Sequence, residues 1–155
     1  MKKSRQLLLL LGVILSCIQT DLYAATYRVD DTATLTNESQ VKMRWRSMGA
    51  NNNNGNIVDG ASLVTIRLNT SPWQNKVGQI YMVLPPQPIG QVMVDWSTQG
   101  KLLAGSLVSG NRTLVYAGLI QAPMIEDTIY VQVHSDGTRL LNLHRLEFHF
   151  EIDVE

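Results

Sequence analysis

From Leu146 to Glu155 the chain alternates apolar and polar residues without a break. Successive side chains of a strand point to opposite faces, so Leu146, Phe148, Phe150, Ile152 and Val154 all point one way. The pattern predicts a strand with one face in a core and Glu147, His149, Glu151, Asp153 and Glu155 on the other. A segment near the opposite end has the same period. Tyr27, Val29, Ala33 and Leu35 share one face there, with Arg28, Asp30, Thr32, Thr34 and Thr36 on the other. Asp31 falls on the apolar face and interrupts it.

Strand-type alternation recurs between these segments. Val41, Met43 and Trp45 alternate with Lys42, Arg44 and Arg46, and Val64, Ile66 and Leu68 with Thr65 and Arg67. Gln79 to Leu84 is a mostly apolar run stopped by Pro85-Pro86. Val92, Val94 and Trp96 alternate with Met93 and Asp95, and Ile129, Val131 and Val133 with Tyr130, Gln132 and His134. Leu102 to Val108 and Thr113 to Ala117 are weaker strands, and Leu140 to Val154 closes the series.

The breaks carry turn chemistry. Asn51-Asn52-Asn53-Asn54-Gly55 reads as a loop, since Asn and Gly tolerate left-handed backbone. Ser109-Gly110-Asn111 and Ser135-Asp136-Gly137 read as hairpin-type turns. Seven or eight short strands separated by turns, with no helix of useful length, predict an all-β fold: an immunoglobulin-like antiparallel β-sandwich.

The first residues differ in kind. Lys2, Lys3 and Arg5 precede an apolar run from Leu7 to Ser16, and Leu22-Tyr23-Ala24 then offers a signal-peptidase site before Ala25. Residues 1–24 are therefore expected to be a signal peptide, and the apolar run is too short for a stop-transfer helix. Removing the leader leaves 131 of the 155 residues, enough for one sandwich-sized domain. The organisation expected is a leader 1–24, an N-terminal extension 25–37 and a β-sandwich 38–155.

Charge and cysteine usage narrow the function. The remainder holds ten basic and twelve acidic residues, a net −2, which gives no electrostatic reason to bind nucleic acid or anionic lipid. The stripe Lys42, Arg44 and Arg46 reads as one solvated strand face. Cys17, the sole cysteine, lies inside the leader, so a disulfide in the exported product is not expected. Ile14-Leu15-Ser16-Cys17 also faintly resembles a lipoprotein box, which would make Cys17 a lipidated N-terminus.

Catalytic and metal chemistry find little support. His149 shares a strand face with Glu147, Glu151 and Asp153, which an outward polar face explains as well as a metal would. There is no G-x-S-x-G elbow and no Gly-rich phosphate loop before a helix. Asp95 is expected to face outward beside a core Trp96. The expectation is no catalytic residue, no metal and no cofactor.

The two alternating ends remain. A sandwich that lacks one strand leaves an apolar groove, which an extended segment from a neighbour can fill by strand addition. Tyr27, Val29, Ala33 and Leu35 are the candidate plugs of such a donor. The simpler alternative is that this segment is the first strand of its own sandwich.

In these features the chain resembles a subunit of chaperone–usher fimbriae. The resemblance rests on the leader ending Tyr23-Ala24, the alternating segment Thr26 to Thr36, the all-β body and the alternating final strand. Gln40-Val41-Lys42-Met43-Arg44-Trp45 and Val92-Met93-Val94-Asp95-Trp96-Ser97 are similar to strands of pilins from K88- and K99-type fimbriae. The chain departs from many pilins in lacking a disulfide, and in having Asn142 and Val154 where a Gly and a penultimate aromatic are usual.

The resemblance implies a sandwich that is incomplete and closed by donor-strand exchange. A periplasmic chaperone would pair with Leu146, Phe148, Phe150, Ile152 and Val154 and grip the carboxylate of Glu155. At an outer-membrane usher, the N-terminal segment of a neighbouring fimbrial subunit would replace it. The product would be an adhesive surface fibre of a Gram-negative bacterium, with no transmembrane segment in the exported subunit. The alternative is a self-complete secreted or lipidated β-sandwich binding module, for which pairing of Thr26 to Leu35 within its own domain would speak. A small hydrolase is a third class, without a nucleophile–base pair to support it.

Overall fold

The computed structural model describes residues 25–36, 41–46, 56–88, 91–138 and 146–154. The leader with Cys17, the loop 51–55 and Glu155 lie outside the described residues.

Among the described residues there are ten strands and one turn of 3-10 helix. The strands are β1 (Ala25–Val29), β2 (Leu35–Thr36), β3 (Arg44–Trp45), β4 (Ile57–Asn69), β5 (Val77–Leu84), β6 (Val92–Thr98), β7 (Gly105–Val108), β8 (Asn111–Leu119), β9 (Met124–Asp136) and β10 (His149–Val154). The 3-10 turn is Ser71–Trp73, with Pro72 where its missing N–H costs nothing.

All pairings are antiparallel, in two sheets. The first has the order β1-β10-β5-β8, and the second β2-β4-β9-β6-β7, with β3 also against β4. The all-β, antiparallel sandwich expected from the alternation is therefore present. The chain enters the first sheet as β1, crosses to the second as β2, and returns to the first at its end as β10.

The core lies between the sheets and is built by period-2 faces. Ile80, Met82 and Leu84 of β5, Phe150, Ile152 and Val154 of β10 and Val115 of β8 come from one sheet. Ile66 and Leu68 of β4, Val92, Val94 and Trp96 of β6 and Ile125, Ile129, Val131 and Val133 of β9 come from the other. Trp96 is a core anchor whose indole N–H donates to the carbonyl of Leu103 at 2.8 Å. Val115 is the extra residue of a bulge: Ile80 lies opposite Tyr116 and Tyr81 opposite Leu114, which curves β8 over the core.

Several expectations are corrected. The segment Tyr27 to Leu35 is not one strand with one apolar face. Asp30 accepts from the backbone N–H of Thr32 at 3.1 Å and its hydroxyl at 2.8 Å, and Thr34 N donates to the carbonyl of Asp31 at 2.9 Å. This Asx turn breaks the period, because the Asp side chain takes over a backbone hydrogen bond. Ser109-Gly110 is likewise not a hairpin. It carries the chain from β7 in one sheet to β8 in the other, with Gly110 at φ 90°. The run Val41 to Trp45 contributes only the two residues of β3, and the strand expected from Leu102 begins at Gly105, with Leu102 buried in the preceding turn.

Candidate functional site

β10 is an inner strand of its sheet, with β5 on one side and β1 on the other. Its ladder with β1 runs from Ala25 opposite Val154 to Val29 opposite Phe150. On β5, Phe150 lies opposite Met82, Ile152 opposite Ile80 and Val154 opposite Gly78. Gly78 leaves room there: a Cβ would come within 3.1 Å of Ile152 and 3.2 Å of Ile120. The sequence-predicted face of the last strand is thus brought together. Phe150, Ile152 and Val154 are buried, and Leu146 and Phe148 are partly buried against the same core.

The four candidate donor residues are not brought together. Val29, 1% exposed, is the one that enters the core. Tyr27 is half exposed and lies against Trp73, ring centroids 6.1 Å apart and planes tilted by 44°. Ala33 sits in the Asx turn and is exposed. Leu35, on β2, lies opposite Thr65 and is 53% exposed. Within the chain itself, β1 closes the edge of β10, and the bridge from Asp30 to Asn69 then ties it to the other sheet.

The outward face of the first sheet is polar and connected. Arg112 of β8 reaches Asp153 of β10 at 3.1 Å and Glu151 at 3.6 Å, with its guanidinium 4.2 Å above the Tyr81 ring of the intervening strand. The hydrogen bond to Asp153 holds the Arg112 pKa above its ordinary value, despite burial. Thr26 of β1 donates to Asp153 at 2.5 Å, and His149 lies 3.3 Å from Glu151.

The second sheet carries a cluster that sequence reasoning missed. His134 lies opposite Asp59, with Nδ1 2.6 Å from its carboxylate, and Nε2 is 3.1 Å from Asp95. Arg46 clasps the same Asp59, Nε to Oδ2 at 2.8 Å and NH2 to Oδ1 at 2.9 Å. The guanidinium hydrogen bond, more than that of His134, holds the Asp59 carboxyl below its usual range. Arg46 is therefore engaged rather than part of a free basic stripe. Both ring nitrogens of His134 face carboxylates, and Nδ1 also lies 3.2 Å from the Arg46 guanidinium. Among the described residues no group of three His, Cys, Asp or Glu side chains is arranged to hold a metal ion. No helix among them is long and apolar enough to cross a membrane.

Comparison with protein-family models, with curated proteins and with solved structures finds no significant match to this chain.

Proposed function

We propose that this chain is a structural subunit of a bacterial surface fimbria, assembled by donor-strand exchange after export with a chaperone and usher. The observation that carries the reading is the identity of the strand beside β10. An immunoglobulin-like sandwich has the sheets A-B-E-D and C-F-G. On this reading β2-β4-β9-β6 corresponds to the first order and β5-β10-β1 to the second, with β7 and β8 as additional strands at the edges. The N-terminal strand would then stand where the last strand, G, belongs, and its antiparallel pairing with β10 supports that reading.

A G position filled by a remote segment is one that a second molecule can fill with the same contacts. The five residues Asp30–Thr34 are then the hinge, closed by the Asx turn within one chain and extended between two. Domain swapping of this kind changes little but the hinge. Without a strand in place, Phe150, Ile152 and Val154 would line an open apolar edge, which is the surface a chaperone strand would cover.

A second reading is favoured by the in-chain pairing of β1: a self-complete, exported β-sandwich that acts as a binding module. The two readings part on one experiment. Residues 26–36 are deleted from the N-terminus and appended after Glu155 through a short flexible linker, so that the strand follows β10 as a hairpin. Exchange between subunits predicts that the parent chain forms concentration-dependent polymers, while the rearranged chain is a stable monomer. A parent that is a monodisperse monomer, as stable as the rearranged chain at every concentration, establishes the self-complete module instead.

A further inference from the structure

The outward face of the β1–β10 ladder pairs unlike groups. Thr26 lies opposite Asp153, and Arg28 opposite Glu151. The two carboxylates differ in what they still need. Asp153 already receives both terminal nitrogens of Arg112, at 3.1 and 3.4 Å, and that guanidinium is seated on the Tyr81 ring. A further cation beside Asp153 would meet Arg112. A hydroxyl completes it without repulsion, and Thr26 Oγ1 donates at 2.5 Å. Glu151 stands farther from Arg112, at 3.6 Å, has the His149 ring at 3.3 Å on its own strand, and lies opposite Arg28 in the ladder.

The same face discriminates between registers. Only an even slip keeps the apolar side chains inward. A two-residue slip one way would set Asp30 opposite Glu151 and Asp31 opposite Phe150, a like-charge pair outside and a carboxylate inside. The opposite slip would set Arg28 opposite His149 and Tyr27 opposite Phe150, which breaks both polar matches. The inner face specifies less, because Val29 is the one side chain of β1 that is buried.

We propose that Asp153 and Glu151 select the strand that pairs with β10. It must offer a hydroxyl opposite Asp153, a cation two residues on opposite Glu151, and an apolar β-branched residue directly after the cation. The occupant so defined is the N-terminal strand of a second copy of this chain, a step that rests on the exchange reading above. The selection acts equally on the strand of the same copy.

The test uses the full chain and amide hydrogen exchange of β1. Arg28→Glu is expected to speed exchange of the β1 amides about threefold at low salt, since like charges directly opposite each other destabilise a ladder. The effect should shrink in about 0.5 M salt. In a Glu151→Gln background it should fall by at least about half, because the opposing charge is gone. Thr26→Val should also speed exchange, Thr26→Ser should restore protection, and Thr26→Arg should not. An Arg28→Glu effect that is absent, or unchanged by Glu151→Gln, overturns the selection. A labelled peptide of residues 25–36 offered to the same chain supplies the second arm. Preference for the wild-type peptide over its Arg28→Glu form supports the selection, and equal uptake overturns it. If neither peptide enters while the in-chain differences persist, the selection stands and the exchange between copies fails.

Discussion

Val29 lies directly opposite Phe150 across the β1–β10 ladder, and both side chains are buried. They differ in what surrounds them. Val29 is the only inward anchor of an edge strand, whereas Phe150 is held from both sides. Val29→Asp would bury an unpaired carboxylate and is expected to cost the docking of β1 about 3 kcal/mol. Leu35→Asp, at an exposed position, should change stability by less than about 0.5 kcal/mol. Urea denaturation with hydrogen exchange of β1 measures both, and equal effects would contradict the division of the segment at Asp31.

Phe150 is the more costly site for the whole domain. Phe150→Ala is expected to lose about 3–5 kcal/mol, since it empties a position between β1 and β5. His149→Gln, on the other face of the strand, should stay within about 1 kcal/mol. Urea midpoints of the two variants give the comparison.

Asp127 is a buried carboxylate on the inner side of β9, at the margin of the sandwich. Its Oδ2 accepts from the hydroxyl of Thr98 and the backbone N–H of Leu102, both at 2.8 Å. Asp127→Ala would leave the Leu102 N–H without its partner, at an expected cost of about 2 kcal/mol. Thr98→Val keeps the Leu102 bond but removes both the donor to Asp127 and the acceptor of the Gly100 backbone N–H, 3.0 Å away, so it should cost about 1.5 kcal/mol, nearly as much. Thermal melts of the two variants provide the check.

The Asp59 cluster makes a pH-dependent contribution. Its carboxyl titrates below the usual range in the folded chain, chiefly because Arg46 hydrogen-bonds it. Such a group stabilises fully above its unfolded value, near 4, and the contribution is lost as pH falls through the depressed folded value. Arg46→Gln should therefore lower stability at neutral pH, only modestly because solvent screens a partly exposed pair. It should also move the acid-unfolding midpoint upward, and the difference between the two proteins should vanish below the folded value. Acid titrations followed by tryptophan fluorescence measure both quantities.

Sequence periodicity gave a good account of facing and a poor one of neighbours. Phe150, Ile152 and Val154, or Val92, Val94 and Trp96, fall on the correct side because a strand's period is local and each residue reports its own face. His134 and Asp95 are each recognisable as outward, while Asp59 lies before the strand read from Val64 and in fact belongs to β4. The meeting of the three depends on the registers of β4, β9 and β6. Register is fixed by packing over long separations, so no local pattern reveals it. Asp31 is instructive. It reads as a blemish in an apolar face, but with Asp30 and Thr32 it is the turn that ends β1. Ser109-Gly110 has hairpin chemistry, and only the third dimension shows that its two strands belong to different sheets.

The pairing of the first strand with the last has a consequence in time. Thr26 and Asp153 meet across 127 residues of sequence, while β5 can receive β8 and β4 can receive β9 over much shorter loops. Closing long loops costs more entropy, and such contacts form late unless much else is already in place. Until β10 is in place, β1 has no partner strand in its own sheet. The edge of β10 is then covered late, through contacts of long sequence separation. Whatever strand is present at highest local concentration in that interval has the first opportunity to occupy it.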